Sequence, residues 1–316
     1  MTPILMFFID GLGLGPGDPM RNPLATFDPQ ALKCFEKGPL QVPLGGVCLA
    51  TDATLDTEGL PQSATGQTTL FTGVNAARLV GRHLPGFPNT RLRQIIGTSS
   101  LFGRLTDAGL RVSFANTYTD TFFESPPRWK SVTTVMCESA GVRQWRVNDM
   151  QAQDSLFMDF TNRLLIERGV SVPLLSPDDA ASRLTRHCRR FDFCLYEYFL
   201  TDMTAHRGSF EEAVAVVRDL DALVAGVLRR LDLSRHSVVL VSDHGNIEDL
   251  STRAHTRGQV PTMLWGPIAK RQPPAARLSL QHITPWVVEI MVGRTKTEFR
   301  IPNSEGVPPP PTEPRQ

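Results

Sequence analysis

The sequence predicts an α/β fold: a mostly parallel sheet sandwiched by helices and interrupted by a small inserted cap. Short, continuous apolar runs recur at 4–9, 47–53, 191–200, 237–241 and 260–265. Strands of a sheet covered on both faces read this way, because neither face meets water. Helical patterns separate the runs, which is the βαβ rhythm of parallel pairing. Three runs lead to an acidic residue, Asp10, Asp202 or Asp243, at the carboxyl edge where open α/β sheets gather their sites. A chain of 316 residues is long enough for one large domain with a deep core and a cleft, plus a smaller unit.

The first run ends at Asp10 and passes into Gly11, Gly13, Gly15 and Gly17, which turn the chain sharply. No Gly-Lys-Ser/Thr follows, so a nucleotide P-loop is disfavoured. A strand at 47–53 leads to a helix at 64–74 whose first turn carries Ser63 and Thr65. A helix at 100–109 and a strand at 111–115 continue the rhythm. It fails over 118–186, which holds Pro126-Pro127, the aromatic anchors Trp129 and Trp145, and expected helices at 155–168 and 177–189. This stretch is the expected cap, which leaves 1–117 and 187–293 as a discontinuous core domain. Ala213, Val216, Val217, Leu220, Leu223 and Val224 recur at the spacing of a long amphipathic helix over 210–231. A closing helix is expected at 282–292. Beyond it, 294–316 ends in Pro308–Pro311 and reads as a tail, disordered or laid along the surface.

Formal net charge is +1 with both signs interspersed, so no basic face for nucleic acid is expected. Cys34, Cys48, Cys137, Cys188 and Cys194 are odd in number and form no C-x-x-C pair; they read as reduced, buried thiols of a cytoplasmic protein. The apolar run at 4–9 is too short to span a membrane and follows no basic segment, so neither a membrane partner nor a signal peptide is expected.

The chemistry lies in four segments. Asp202 and His206 are four apart, so on one helical turn they face the same way. Asp243 and His244 are adjacent where a strand ends and the chain bends. His255 lies in a loop before the run at 260–265, and Asp10 closes the first strand. Singly, each has a bland reading, since an exposed Asp is usually solvated and a lone His usually structural. Together these carboxylates and imidazoles, with one hydroxyl among them, suit a two-metal phosphoryl-transfer site. Ser63 at a helix N-terminus would meet a phosphate and ionise more easily there, its bland role being an N-cap.

On the stretches Asp10-Gly11, Gln62-Ser63-Ala64-Thr65-Gly66, Asp202-Met203-x-x-His206, Asp243-His244-Gly245-Asn246 and Ala254-His255-Thr256, the chain resembles the alkaline phosphatase superfamily. Within it the resemblance is closest to the cofactor-independent phosphoglycerate mutase and phosphopentomutase branch. It implies that Asp10, Ser63, Asp243 and His244 surround one divalent ion and that Asp202, His206 and His255 hold another, Mn²⁺ or Zn²⁺. It also implies that Ser63 is the nucleophile, with Thr65 as its rival, since some members use threonine. A sulfatase is disfavoured, because Ala64-Thr65-Gly66-Gln67 does not follow the sulfatase pattern x-Pro-x-Arg. Gln67 stands where the mutase branch has histidine.

The mutase carries a large second domain with substrate-gripping arginines, which the shorter stretch here does not match. Arg82 and His83, then Arg128 and Lys130 in the cap, are the local candidates for substrate binding, because a guanidinium or ammonium near the metals would hold an anionic group. The expected activity is transfer from a small phosphorylated metabolite through a phosphoserine, with hydrolysis favoured over mutation because a short cap closes poorly over an intermediate. A phosphomutase is the alternative, and a phosphodiesterase or phosphonate hydrolase comes next. A reading from another class is a non-catalytic metal-binding regulator.

Overall fold

The computed structural model describes residues 2–36, 40–126 and 128–293. The expected tail at 294–316 lies outside them. Strands β1 (Ile4–Ile9), β2 (Leu40–Val42), β3 (Gly46–Asp52), β4 (Val112–Phe114), β5 (Thr117–Tyr118), β6 (Trp145–Arg146), β7 (Phe193–Tyr198), β8 (Ser237–Val241), β9 (Val260–Trp265) and β10 (Leu278–Ser279) carry the pairing. The main sheet runs β10-β3-β9-β8-β1-β7-β4, with β2 alongside β3, and β5 and β6 pair separately.

The centre of the sheet is parallel: β1 lies between β7 and β8, and β4 joins β7. Strand β9 departs from this by running antiparallel to both β8 and β3. The cause is the loop after β8, where an antiparallel bridge between Gly245 and Thr256 folds the chain back on itself.

Alternation along the strands explains their continuous apolar sequence. Leu5, Phe7 and Ile9 join one core with Tyr196, Tyr198 and Leu240, under the helices Pro177–Cys188 and Phe210–Arg230. Ile4, Met6 and Phe8 join the other with Leu195, Val239 and Val241, under the helices Ser63–Thr72, Leu101–Asp107, Val132–Ser139 and Ile283–Val292. Each side chain of β1 is thus buried on one face or the other. The Phe210–Arg230 helix opens on a capping box between Ser209 and Glu212 and ends in Arg229 and Arg230, with opposite charges at the ends its dipole favours.

The stretch 118–186 does not pack as one separate unit. Val132, Met136 and Cys137 belong to the second core, and Ala180, Ala181 and Leu184 to the first. Among the described residues of this stretch, only Val147, Met150, Phe157, Met158 and Leu165 form a small core of their own. The expected helix at 155–168 is reduced to Arg163–Glu167. Asp159 accepts the Thr161 hydroxyl and the Thr161 and Leu164 N–H groups, and Asn162 takes a left-handed φ of 66°; both compete with a continuous helix. Trp145 is buried, but Trp129 is 53% exposed, so it is not the core anchor the sequence suggests.

Candidate metal centre

Each segment reaches the carboxyl edge of the sheet by its own route. Strand β1 stops at Ile9, and the Asp10 N–H continues the ladder by donating to Tyr198 O at 2.9 Å. After β7 the chain enters the helix Leu200–Arg207, so Asp202 sits in a helical first turn rather than at a strand end, one turn before His206. Thr201 ties this helix to β1, its hydroxyl donating to Asp10 O at 2.6 Å. The fold-back after β8 carries His255 to His244, and their rings stack with centroids 3.7 Å apart at 15°.

Two donor clusters result. In one, Asp10, Asp243 and His244 are all buried, with His244 Nε2 3.2 Å from Asp10 Oδ1 and 3.5 Å from Asp243 Oδ2. In the other, Asp202 Oδ1 lies 3.4 Å from His206 Nε2 and 3.5 Å from His255 Nε2. Ser63 begins its helix, and its Oγ is 3.0 Å from His244 Nε2. Thr65 Oγ1 instead donates to Gln62 O and accepts the Leu84 N–H, away from both clusters.

The second cluster has the electronic form of a cation site. His206 Nδ1 faces Arg253 O and His255 Nδ1 faces Pro61 O, both at 2.8 Å. Carbonyl oxygens only accept, so each Nδ1 carries the proton and, in the neutral ring, each lone pair sits on Nε2. Those two Nε2 atoms face each other at 3.0 Å, beside a carboxylate oxygen. Burial pushes His255 down to about 4, with the neighbouring His244 adding to the effect, so its ring is neutral at pH 7. Three lone pairs converging on one point suit a bound cation.

The first cluster suits one as well. Asp10 Oδ1 is buried and without a hydrogen-bond partner. Burial raises Asp10 well above the usual carboxylate range, and the charge of Asp202 adds to this; burial and then Asp10 do the same to Asp243. A divalent cation between the carboxylates would offset both effects by compensating their negative charge. The residues present therefore fit two divalent ions.

The substrate-binding candidates are scattered differently. His83 Nε2 is 3.1 Å from Thr54 O, and the loop holding it docks on the Ser63 helix, where Thr65 N–H donates to Leu84 O; Arg82 beside it is exposed. Lys130 is paired to both carboxylate oxygens of Glu138, and the Arg128 guanidinium lies 5.1 Å from the Trp129 ring, so both cap cations are engaged locally.

A family model described as the Metalloenzyme superfamily matches residues 2–293. The chain belongs to this superfamily. Among curated relatives, the 2,3-bisphosphoglycerate-independent phosphoglycerate mutase of Rhodopirellula baltica is 25% identical over 194 residues, 54% of this chain and 36% of that one. The corresponding mutase of Wolinella succinogenes is 27% identical over 133 residues, 40% of this chain and 26% of that one. The chain thus matches about a quarter to a third of the length of these relatives. Among solved structures, PH0037 of Pyrococcus horikoshii superposes with a TM-score of 0.58 at 11% identity, covering 94% of this chain and 98% of that one. The alkaline phosphatase of the Antarctic bacterium TAB5 gives 0.54 at 12%, covering 93% and 100%. The structural likenesses show an alkaline-phosphatase-like α/β fold, and the curated relatives named are phosphoglycerate mutases.

Three further residues of this Metalloenzyme superfamily member shape the site. Gln67 donates from one nitrogen to Asp10 Oδ2 at 3.2 Å and Asp243 Oδ2 at 3.0 Å. Glu248 is buried and accepts the N–H groups of Gly13 and Asn246 and the Thr256 hydroxyl, tying together three segments that carry cluster residues. A Cβ at Gly13 or Gly245 would lie 2.2 Å from Glu248 Oε1, so these glycines make room for a carboxylate, not for a phosphate. Their clustering around ligand motifs is the one sequence signal for Glu248. Glu197, near the end of β7, accepts the Thr133 hydroxyl at 2.8 Å, and burial pushes it up to about 7.

Proposed function

We propose that the protein is a two-metal phosphoryl-transfer enzyme that acts on a small phosphomonoester through a phosphoserine at Ser63, with hydrolysis as its reaction. The observation that carries this reading is the Ser63 hydroxyl at the start of its helix, 3.0 Å from His244 Nε2 and beside two clusters of ligand atoms. Asp10, Asp243 and His244, with Ser63, would hold one ion, and Asp202, His206 and His255 the other. Bound there, the ions supply positive charge for the phosphate oxygens and lower the pKa of the attacking hydroxyl. Imidazole and carboxylate donors suit Zn²⁺ and Mn²⁺, the two metals we propose.

The Ser63 hydroxyl gives up its proton as Oγ attacks phosphorus, the bond to the leaving oxygen breaks, and the departing alcohol takes up a proton, so that no proton is gained or lost overall. The N–H groups at the helix N-terminus face the anion that forms. Water then attacks the phosphoserine, releasing phosphate and restoring the hydroxyl. Hydrolysis is favoured because two helices of 118–186 complete the layers beside the sheet, leaving a short segment to exclude water. The similarity to phosphoglycerate mutases supports the second reading, in which a retained alcohol takes the phosphoryl group back. The five cysteines, all buried free thiols, support a reducing, cytoplasmic setting.

The test is a panel of sugar phosphates, phosphoglycerates and p-nitrophenyl phosphate, offered to protein loaded with Mn²⁺ or Zn²⁺, beside Ser63→Ala. Phosphate release that disappears in the variant is the expected result. Positional isomerisation without release would make the protein a mutase. Turnover that persists unchanged in Ser63→Ala would overturn the phosphoserine route, and metal-dependent partner binding without turnover would favour a regulator.

A further inference from the structure

We propose that Gln67 is a positioning residue for the Asp10–Asp243–His244 cluster, a neutral double donor that holds both carboxylates in place and leaves Asp10 Oδ1 facing the ion. The inference rests on the reading that this cluster holds a metal. Gln67 is four residues after Ser63, so the helix Ser63–Thr72 presents both side chains on one face. Ser63 meets His244, and Gln67 meets the two carboxylates of the same cluster. One rigid turn therefore sets the hydroxyl and the ligands relative to each other.

An amide nitrogen carries two hydrogens. Here one points to each Oδ2, at 3.2 Å for Asp10 and 3.0 Å for Asp243. With Oδ2 held, Asp10 is left presenting Oδ1, the buried atom that has no other partner and lies 3.2 Å from His244 Nε2. Asp243 is gripped from both sides, because its Oδ1 takes the Gly11 N–H at 3.4 Å. Neither carboxylate can turn without breaking a buried hydrogen bond.

The choice of an amide also follows from charge. Lys or Arg at this position would bind the same oxygens but compete with the ion for their negative charge. An apolar side chain would leave two buried oxygens without donors. Glutamine supplies both hydrogen bonds and adds no charge, so the carboxylates keep their full attraction for a divalent cation. Such outer partners of metal ligands are worth about 10–100-fold in affinity.

The experiment is calorimetric titration of chelator-stripped, full-length protein with Mn²⁺, for the wild type, Gln67→Met and Gln67→His. The wild type is expected to bind two ions. Gln67→Met, similar in size but without donors, should weaken one site by about 10–100-fold and leave the other unchanged, the retained site also showing that the variant is folded. Gln67→His keeps a ring N–H and should lose less. Should Gln67→Met fail to fold, weakening confined to one site in Gln67→His supports the assignment. Two wild-type-like sites in a folded variant would overturn the role of Gln67 while leaving the metal reading intact, as would equal weakening of both sites. A wild type that binds no Mn²⁺ would remove the metal reading itself, and this inference with it.

Discussion

Ser63 and Thr65 differ in what their hydroxyls touch, and the difference is measurable. Ser63→Ala should reduce turnover by at least about a thousandfold, as loss of a nucleophile does, with KM for the remaining activity little changed. Thr65→Ser keeps the hydroxyl that bonds Gln62 and Leu84, and kcat should stay within about threefold of wild type, a change worth less than one kcal/mol. Glu197 offers a test by pH. Its folded pKa of about 7 exceeds the ordinary value of 4.5, so the native state holds a proton that the unfolded chain has released. Stability contributed by this residue is therefore lost as pH rises from about 4.5 to about 7 and is level above that. Glu197→Gln removes the titration, and its advantage in denaturant unfolding of chelated protein should grow across that window to about 3 kcal/mol. A difference that is flat with pH would sink this account. The seven residues proposed as ligands, which the structure brings together, could be picked out in the sequence because each sits in a short motif with its own local spacing. Gln67 and Glu248 could not, because their roles consist of contacts with residues more than fifty positions away or across a folded-back loop.

At the level of elements, the glycine-rich loop after β1 and the loop after β8 are held together by Glu248. Gly13→Ala forces a methyl group into that carboxylate and should cost about 2–4 kcal/mol in unfolding free energy, together with weaker metal binding. Gly17 has open space around its Cβ position, so Gly17→Ala should stay within about 0.5 kcal/mol. Thermal unfolding of the two variants side by side distinguishes a steric requirement from a general preference for glycine in loops. The strands were readable because burial on both faces leaves a plain signal, unbroken apolar sequence. The direction of β9 was not, since an apolar run reads the same in either direction and the reversal is set by the bridge between Gly245 and Thr256. The helix expected at 155–168 failed for a local reason, the competing hydrogen bonds of Asp159 and the left-handed Asn162. The cap boundaries were set by a break in periodicity, yet Val132, Met136, Ala180 and Leu184 show that part of that stretch completes the layers of the sheet.

For the whole molecule, metal and stability are linked through the raised carboxylates. At a free Mn²⁺ or Zn²⁺ concentration about a hundred times Kd, each site should add about 2.7 kcal/mol, and a chelator should remove it as a fall in Tm of several degrees. Protons compete for Asp10 and Asp243, which burial holds above the ordinary range. The metal-dependent gain in Tm should therefore shrink as pH falls, starting above the usual carboxylate titration. Melting curves with and without chelator between pH 5 and pH 8, a range of about three units around neutrality, check it; a gain constant over that range would count against carboxylate ligands. The position of β1 has a consequence for how the chain acquires its structure. It emerges before its hydrogen-bonded neighbours β7 (Phe193–Tyr198) and β8 (Ser237–Val241), which lie far along the chain from it. Until then its six apolar residues have two open edges and no sheet to join. Pairing at such long range is slow to close and leaves hydrophobic edges exposed in the meantime. The centre of the finished sheet is thus a part of the nascent chain that needs protection from aggregation.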